Sequence, residues 1–125
     1  MKGTGSAIAK GYLPPDVEAH LTGLIEGAGV TGCRVFTVDV TALWPEWVTS
    51  HVVQVDARAS DKQKAHDKAW EVARLVMAST AIEGGTITNV GIASGPSWIP
   101  DENGAPRYVA RYIFTVHPHQ TKVPE

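Results

Sequence analysis

The stretch from Gln54 to Gln63, QVDARASDKQ, changes its periodicity at its centre. Up to Arg58 the apolar residues alternate with polar ones, which is the pattern of a half-buried strand. Further along, Ser60 and Gln63 have the spacing of a capping box, in which each side chain satisfies a backbone N–H at a helix start. The stretch therefore predicts a strand that leads directly into a helix.

This corner lacks the glycines that a phosphate-binding turn requires. Turns of the types G-x-G-x-x-G and G-x-x-x-x-G-K-[ST] use glycine so that backbone N–H groups can approach a phosphate. Residues 54–63 contain no glycine. We therefore interpret Ser60 as a helix cap and not as a catalytic serine, and the corner as a structural joint.

On either side of this corner, the periodicity of apolar residues predicts two helices and four strands. The first helix begins after Pro14-Pro15-Asp16, and the second begins at Ser60 and ends near Thr80. Strands are predicted at residues 34–38, 51–58, 86–93 and 107–117. Because the strands come in pairs, the order α-β-β-α-β-β favours an α+β fold with a mainly antiparallel four-stranded sheet and two helices packed on one face.

The apolar stripes also identify the residues expected in the core. Val53, Val55 and Ala57 share one face of the second predicted strand. On the second helix, Trp70 lies near the apolar stripe and is expected to be buried. His66, beside an aspartate, is expected on the solvated face of the same helix.

Length and composition indicate one domain over residues 1–125. Hydrophobic residues make up 43% of the chain and charged residues 19%, which is enough apolar material for a core. Residues 1–10 and 119–125 offer little to bury and are expected to be mobile. The formal charge of -2 argues against a nucleic-acid binder, whose phosphate contacts need clustered Lys and Arg. With no secretory signal and no apolar run of about 20 residues, we expect a protein that is neither exported nor membrane-bound.

The residue types that carry chemistry in enzymes form no recognisable set. Cys33 is the only cysteine, which excludes an intrachain disulfide and a cysteine zinc site. His117 and His119 lack the spacing of a zinc motif. We predict no catalytic, cofactor or metal residue. An enzyme with a site between subunits, using His51, Asp56 or His117, stays open as an alternative.

Three tryptophans fall in segments predicted to be loops or loop edges. A large aromatic side chain there needs cover from its own domain or from a neighbouring molecule, and the sequence favours neither. Because tryptophan is enriched at interface hot spots, these side chains and their neighbours are the predicted contacts between subunits. The predicted interface residues are Trp44, Trp47, Trp98, Ile99, Arg107 and Arg111.

Two runs of the sequence resemble tail terminator proteins, also called tail completion or minor tail proteins, of long-tailed bacteriophages. They are PRYVARYIFTVHP at residues 106–118, preceded by a polar Asp-Glu-Asn-Gly turn, and HVVQVDARASDKQKAHDKAWEVARLV at residues 51–76. The resemblance extends from about Pro14 to Pro118 in the order and length of the elements. It implies a structural protein and not an enzyme, with no cofactor, which assembles as a ring, usually a hexamer, at the head-proximal end of the tail tube.

The resemblance also implies the partners and the location. The ring would contact the tail tube protein on one side and the head-closure or connector protein on the other, and genomic DNA would pass through its lumen without sequence-specific binding. Such a protein is a virion component that is assembled in the host cytoplasm. The loop TALWPEW at residues 41–47 has no counterpart in the resemblance. Another neck or tail component, such as a head-closure or tail-tube protein, is the related alternative.

Overall fold

The computed structural model describes residues 15–43 and 48–118, which form two helices and one antiparallel five-stranded sheet. Neither helix in these ranges is long and apolar enough to cross a membrane. The strand order in the sheet is β1-β2-β5-β4-β3. The elements are α1 (Val17–Gly27), β1 (Cys33–Leu43), β2 (Val48–Arg58), α2 (Lys62–Met77), β3 (Ala81–Ile82), β4 (Gly85–Trp98) and β5 (Arg107–Pro118).

The predicted α+β class is confirmed, but the predicted four-stranded sheet and its element order are wrong in detail. A fifth strand, β3, lies between α2 and β4 and pairs with Gly85 and Thr86. It is only two residues long, so it leaves no periodicity that a sequence pattern can detect. The expectation of mobile ends at residues 1–10 and 119–125 concerns segments outside the described residues.

The joint between β2 and α2 has the predicted form, but its capping residue is one position later. Asp61, with an extended backbone, is the N-cap of α2, and its side chain accepts the backbone N–H of Lys64 at 2.8 Å. Gln63 donates its side-chain amide to Asp67 and does not complete a capping box with Ser60. Aspartate and serine cap helices equally well, and here the helix begins at the residue after the aspartate.

The first hairpin is longer than its periodicity predicts. Strand β1 continues to Leu43, which pairs with Val48 at the start of β2. Cross-strand hydrogen bonds therefore extend the strand beyond the apolar stretch of residues 34–38. As a result, the first residues of TALWPEW belong to β1, and residues 44–47 lie outside the described residues.

Strand β4 is also longer than predicted, and it changes the setting of Trp98. It runs through Gly95 and Pro96 to Trp98, which pairs with Tyr108 of β5. The register shifts three times along this pair of strands, the last time between Ser94 and Ser97. Such bulges release backbone N–H groups from the ladder and allow a proline inside a strand.

The core lies between the two helices and one face of the sheet. Val53 and Val55, predicted on the buried face of β2, pack there with Tyr112 of β5, Leu21 of α1 and Val72 of α2. In the part of the chain that the structure describes, the opposite face of the sheet carries no helix, and we call it the helix-free face. Side chains alternate between the two faces along each strand, so the register assigns every strand residue to one of them.

Trp70 and His66 differ from their predicted environments. Trp70 is 44% exposed, so the expectation that it is a core residue is wrong. His66 is half-buried, and its ring meets that of Tyr108 edge-on, with 5.4 Å between the centroids. The stripe of α2 that faces the sheet is formed by smaller residues, Ala69 and Val72, which bring the helix close to the strands.

Candidate functional site

An aromatic cluster lies at the end of β4, on the face of the sheet that carries the helices. The rings of Trp98 and Tyr108 are 5.6 Å apart between centroids, and the ring of His66 also packs against Tyr108, at 5.4 Å between centroids. The ammonium group of Lys62 lies 4.8 Å from the centroid of Trp98, which is a cation–π distance. The cluster covers Tyr108 but leaves 38% of Trp98 exposed.

The cluster belongs to a larger apolar surface between α2 and the edge of the sheet. Trp70 of α2 contacts the ring of His66, with 6.2 Å between the centroids. Ile92 of β4 pairs with Tyr112 on the same face and is 49% exposed. We call Trp70, Ile92 and Trp98 the tryptophan patch.

A second apolar surface lies at the opposite edge of the sheet, on the hairpin of β1 and β2. Val38, Val40 and Leu43 of β1 are all exposed along this edge strand, and we call them the hairpin patch. By the register, Val40 is on the face that carries the helices and Leu43 is on the opposite face, so the patch follows the edge of the sheet and is not confined to one face. Nearer the helices, Glu18 of α1 accepts hydrogen bonds from the backbone N–H and the hydroxyl of Thr37, at 2.9 and 3.1 Å. This contact covers the edge of β1 at Thr37, just before a shift in register, and the hairpin patch begins beyond it.

Within residues 15–43 and 48–118, both edges of the sheet therefore have stretches of strand with no neighbouring strand. Among the described residues, β3 covers only Gly85 and Thr86 of the outer edge of β4. The backbone N–H of Ile87 is bonded to the carbonyl of Thr80, just before β3. Beyond Ile87, the edge of β4 has no neighbouring strand among the described residues, and neither has the distal part of β1. Edge strands of this kind are surfaces on which other chains can pair or pack.

The other predicted interface residues lie on the helix-free face, away from Trp98. Arg107 donates from Nε to the carbonyl of Ile99 at 2.9 Å, and Arg111 donates from Nε to the side-chain oxygen of Gln54 at 2.9 Å. Arg107 also lies 3.4 Å from the buried carboxylate of Asp56. Ile99, Arg107 and Arg111 border a hollow of about 380 Å³. The predicted interface set is thus divided between the two faces of the sheet.

Two further arginines on the helix-free face were missed by the sequence analysis. Arg34 of β1 lies opposite Asp56, and Arg58 of β2 lies opposite Arg107. Four of the five arginines in the chain therefore share this face. The alternation of residues along β2 and β5 could have shown that Arg58, Arg107 and Arg111 each point away from the apolar face of their strand. Only the pairing register of β1, β2 and β5 shows that these three and Arg34 share one face of the sheet.

Trp44 and Trp47, predicted as interface residues, lie outside the described residues.

The histidines and the aspartate that define the enzyme alternative are not brought together. His51 is buried on the face that carries the helices, with Thr49 Oγ1 at 2.8 Å from its Nε2. Asp56 lies on the helix-free face, and His117 lies near the far end of β5, eight positions from the residue that pairs with Asp56. Eight positions in a strand span roughly 26 Å, so within one copy of the chain the three side chains have no common site.

Burial shifts the pKa values of two titratable side chains that border the core, His51 and Cys33. It lowers the pKa of His51, against the opposing influence of the Asp16 carboxylate, so the neutral imidazole is favoured. It raises the pKa of Cys33, with Lys68 opposing, which disfavours a reactive thiolate. Among residues 15–43 and 48–118, no three His, Cys, Asp or Glu side chains are placed to hold a metal ion.

Comparison of the chain with protein-family models and with curated proteins finds no match to either.

Proposed function

We propose that this chain is a structural virion protein, a tail terminator whose copies assemble into a ring on the tail tube of a long-tailed bacteriophage. The single observation that carries the proposal is the pair of unlike apolar surfaces at opposite edges of one sheet. The hairpin patch is aliphatic and lies on β1, whereas the tryptophan patch is mainly aromatic and lies on β4 and α2.

A ring requires two different surfaces on each copy. In a head-to-tail interface, one surface of a subunit contacts the other surface of the next, and the chain of subunits closes if the rotation permits. A symmetric dimer needs only one surface that matches itself. The presence of two exposed apolar patches toward opposite edges of the sheet, one aliphatic and one mainly aromatic, favours the head-to-tail arrangement.

The side chains in the patches suit such contacts. Trp98 is held in place by Tyr108, so little conformational freedom remains to be lost when a partner covers it. Val38 and Val40 are β-branched and lie on a strand, which restricts their rotamers in the same way. We propose that the hairpin patch of one copy packs against the tryptophan patch of the next.

The resemblance to tail terminators supplies the partners in this proposal. The ring caps the head-proximal end of the tail tube and provides the docking surface for the head-closure or connector protein, and the genome passes through its lumen. The proposed number of copies is six. Each copy belongs to the virion after assembly in the host cytoplasm.

The proposal is tested by adding the purified protein, carrying a gold label, to purified tail tubes and imaging them by negative-stain electron microscopy. A terminator places label at one end of each tube and blocks further addition of tube protein. Label distributed along the tube would identify a tube subunit instead. Absence of label on the tubes, together with a monomeric mass at every concentration, would contradict the proposal.

A further inference from the structure

The helix-free face concentrates positive charge that the net charge of the chain conceals. Within the described strands there is no lysine, and the charged residues on this face are four arginines and two aspartates. Asp56 is buried and is held by Gln54 and Arg107. Asp39 lies near the hairpin, where it accepts a hydrogen bond from Thr41. The arginines are therefore the charges that a ligand would meet at the centre of this face.

Two of these arginines are oriented by hydrogen bonds that leave most of their donors free. Arg107 and Arg111 each use Nε for an internal hydrogen bond, to Ile99 and to Gln54 respectively. A guanidinium has five N–H donors, so, counting bonds to the described residues, Arg111 retains four and Arg107, which also contacts Asp56, retains three. Both line the same hollow, together with the hydroxyl of Ser94. Anchored guanidinium groups of this kind are suited to bidentate binding of phosphate oxygens.

The spread of the arginines favours an extended ligand over a small anion. Arg107 and Arg111 are four positions apart on β5, which corresponds to roughly 13 Å along the strand. Arg34 lies two strands away, at roughly 10 Å across the sheet. One small anion cannot contact charges with this spacing, whereas a polymer with a negative charge at every repeat can.

An aromatic side chain on the same face favours a nucleic acid over an acidic polypeptide. Phe36 pairs with Gln54 in the register and is half-buried, so part of its ring is accessible. The guanidinium of Arg34 lies 5.9 Å from the centre of this ring. An aromatic ring beside arginines offers stacking to a base as well as contacts to phosphates, and an acidic polypeptide gains nothing from that stacking.

We propose that the helix-free face binds the sugar–phosphate backbone of nucleic acid without reading its base sequence. The contacts are made by Arg34, Arg107 and Arg111, with Phe36 available to an unpaired base. Arg58 and Arg107 both border a neighbouring hollow with Asp101 and Glu102, whose charges repel phosphate. Arg107 also lines the hollow that holds Arg111, whereas Arg58 does not, so Arg58 lies at the margin of the surface. The inference is drawn from a single copy of the chain and does not depend on ring formation.

The test measures binding of a fluorescent 30-base-pair DNA duplex and of a 30-nucleotide oligo-dT by anisotropy, from 20 to 200 mM salt. The variant is R34Q/R111Q, because these two arginines are exposed and neither contacts the buried Asp56. The matched control is R74Q, which removes the same type of charge from α2. Circular dichroism and urea unfolding establish that each variant is folded.

The wild-type protein is expected to bind both probes, and R34Q/R111Q to bind about tenfold more weakly or worse at low salt. Losing two phosphate contacts should reduce the salt slope for the duplex by about 1.8, at roughly 0.9 per phosphate. R74Q should bind like the wild type, and tighter binding of oligo-dT than of duplex would assign Phe36 its stacking role. Fluorescent poly-glutamate is the acidic-polypeptide probe in the same assay. No binding of DNA by the wild type, an R34Q/R111Q slope equal to that of the wild type, an equal loss in R74Q, or equal binding of poly-glutamate would overturn the inference. None of these results bears on capping of tail tubes.

Discussion

Trp98 and Tyr108 lie opposite each other on β4 and β5, with their ring centroids 5.6 Å apart and their planes at 57°. Tyr108 is buried, and it supports an indole of which 38% is exposed. This pair joins the core of the domain to the surface that we propose as an interface. A partner that covers Trp98 therefore contacts a side chain already fixed in position.

The first prediction concerns association between copies. Trp98→Ala is expected to weaken association by about 30-fold or more, because truncating an aromatic hot spot costs about 2 kcal/mol or more. Sedimentation velocity over a series of concentrations gives the association constant. Met77→Ala is the control, since Met77 is an exposed apolar residue of α2 outside both patches. Equal association constants for Trp98→Ala and the wild type would remove the tryptophan patch from the interface.

The start of α2 gives a prediction about stability. Asp61→Ala removes the side chain that accepts the backbone N–H of Lys64, and should lower the free energy of unfolding by about 1 kcal/mol. Ser60→Ala, one residue earlier, should change it by less than about 0.5 kcal/mol because Ser60 is exposed and does not cap the helix. Urea unfolding of the two variants measures both values. The reverse order of effects would mean that Ser60 is the cap.

Removing the hydroxyl of Tyr112 is predicted to keep or increase stability, in contrast to the loss expected for Asp61→Ala. The Tyr112 hydroxyl is buried and has no hydrogen-bond partner among the described residues, and burial raises its pKa to about 12. Tyr112→Phe removes an unsatisfied polar atom and keeps the ring, so the free energy of unfolding should stay the same or rise, by up to about 1 kcal/mol. Urea unfolding at neutral pH measures the change. A loss of more than about 1 kcal/mol would show that the hydroxyl has a stabilising partner.

His51 predicts the direction in which stability changes with pH. Burial lowers its pKa in the folded protein, so below the unfolded pKa, about 6.5, the unfolded chain binds the proton more readily. The contribution of neutral His51 to the free energy of unfolding is therefore fully present above that pH. It is lost as the pH falls toward the pKa of His51 in the folded protein. The same sign holds for His20, whose pKa is also lowered by burial.

The measurement for His51 is the urea midpoint at pH 7.5 and at pH 5.5. The wild type should lose stability between these values, and His51→Gln should lose less over the same interval, whatever its stability at pH 7.5. His66→Gln is the control, because His66 lies on the half-exposed side of α2. An equal pH dependence in His51→Gln and the wild type would exclude His51 as a source of this effect.

The elements with a sustained pattern could be predicted from the sequence, and those made by pairing could not. The alternation from Tyr108 to Val116 identified β5, and the apolar stripe of α2 identified a helix on the sheet. The strand at Ala81–Ile82 and the extension of β4 through Pro96 depend on hydrogen bonds to a neighbouring strand. Those bonds leave no periodic signal within the segment itself.

For the candidate surfaces too, the features with a local sequence signal could be predicted, and those that depend on how the strands pair could not. Trp98 was identified from its residue type and its position at a loop edge, although it lies in a strand. Trp70 was expected in the core because helical spacing defines its angle around α2 but not how far the sheet extends beneath it. The helix-free face was missed because its arginines come from three strands, and a net charge of -2 gives no indication of how charge is distributed.

The most direct test of the central claim mixes two variants, each of which lacks one patch. Val40→Asp disables the hairpin patch and Trp98→Ala disables the tryptophan patch, and both positions are exposed enough for the fold to persist. If the hairpin patch of one copy packs on the tryptophan patch of the next, each variant alone should be monomeric by native mass spectrometry. The mixture should form a 1:1 dimer and nothing larger, because one intact interface remains. Monomers only in the mixture, or assembly of either variant alone to the wild-type mass, would contradict the claim.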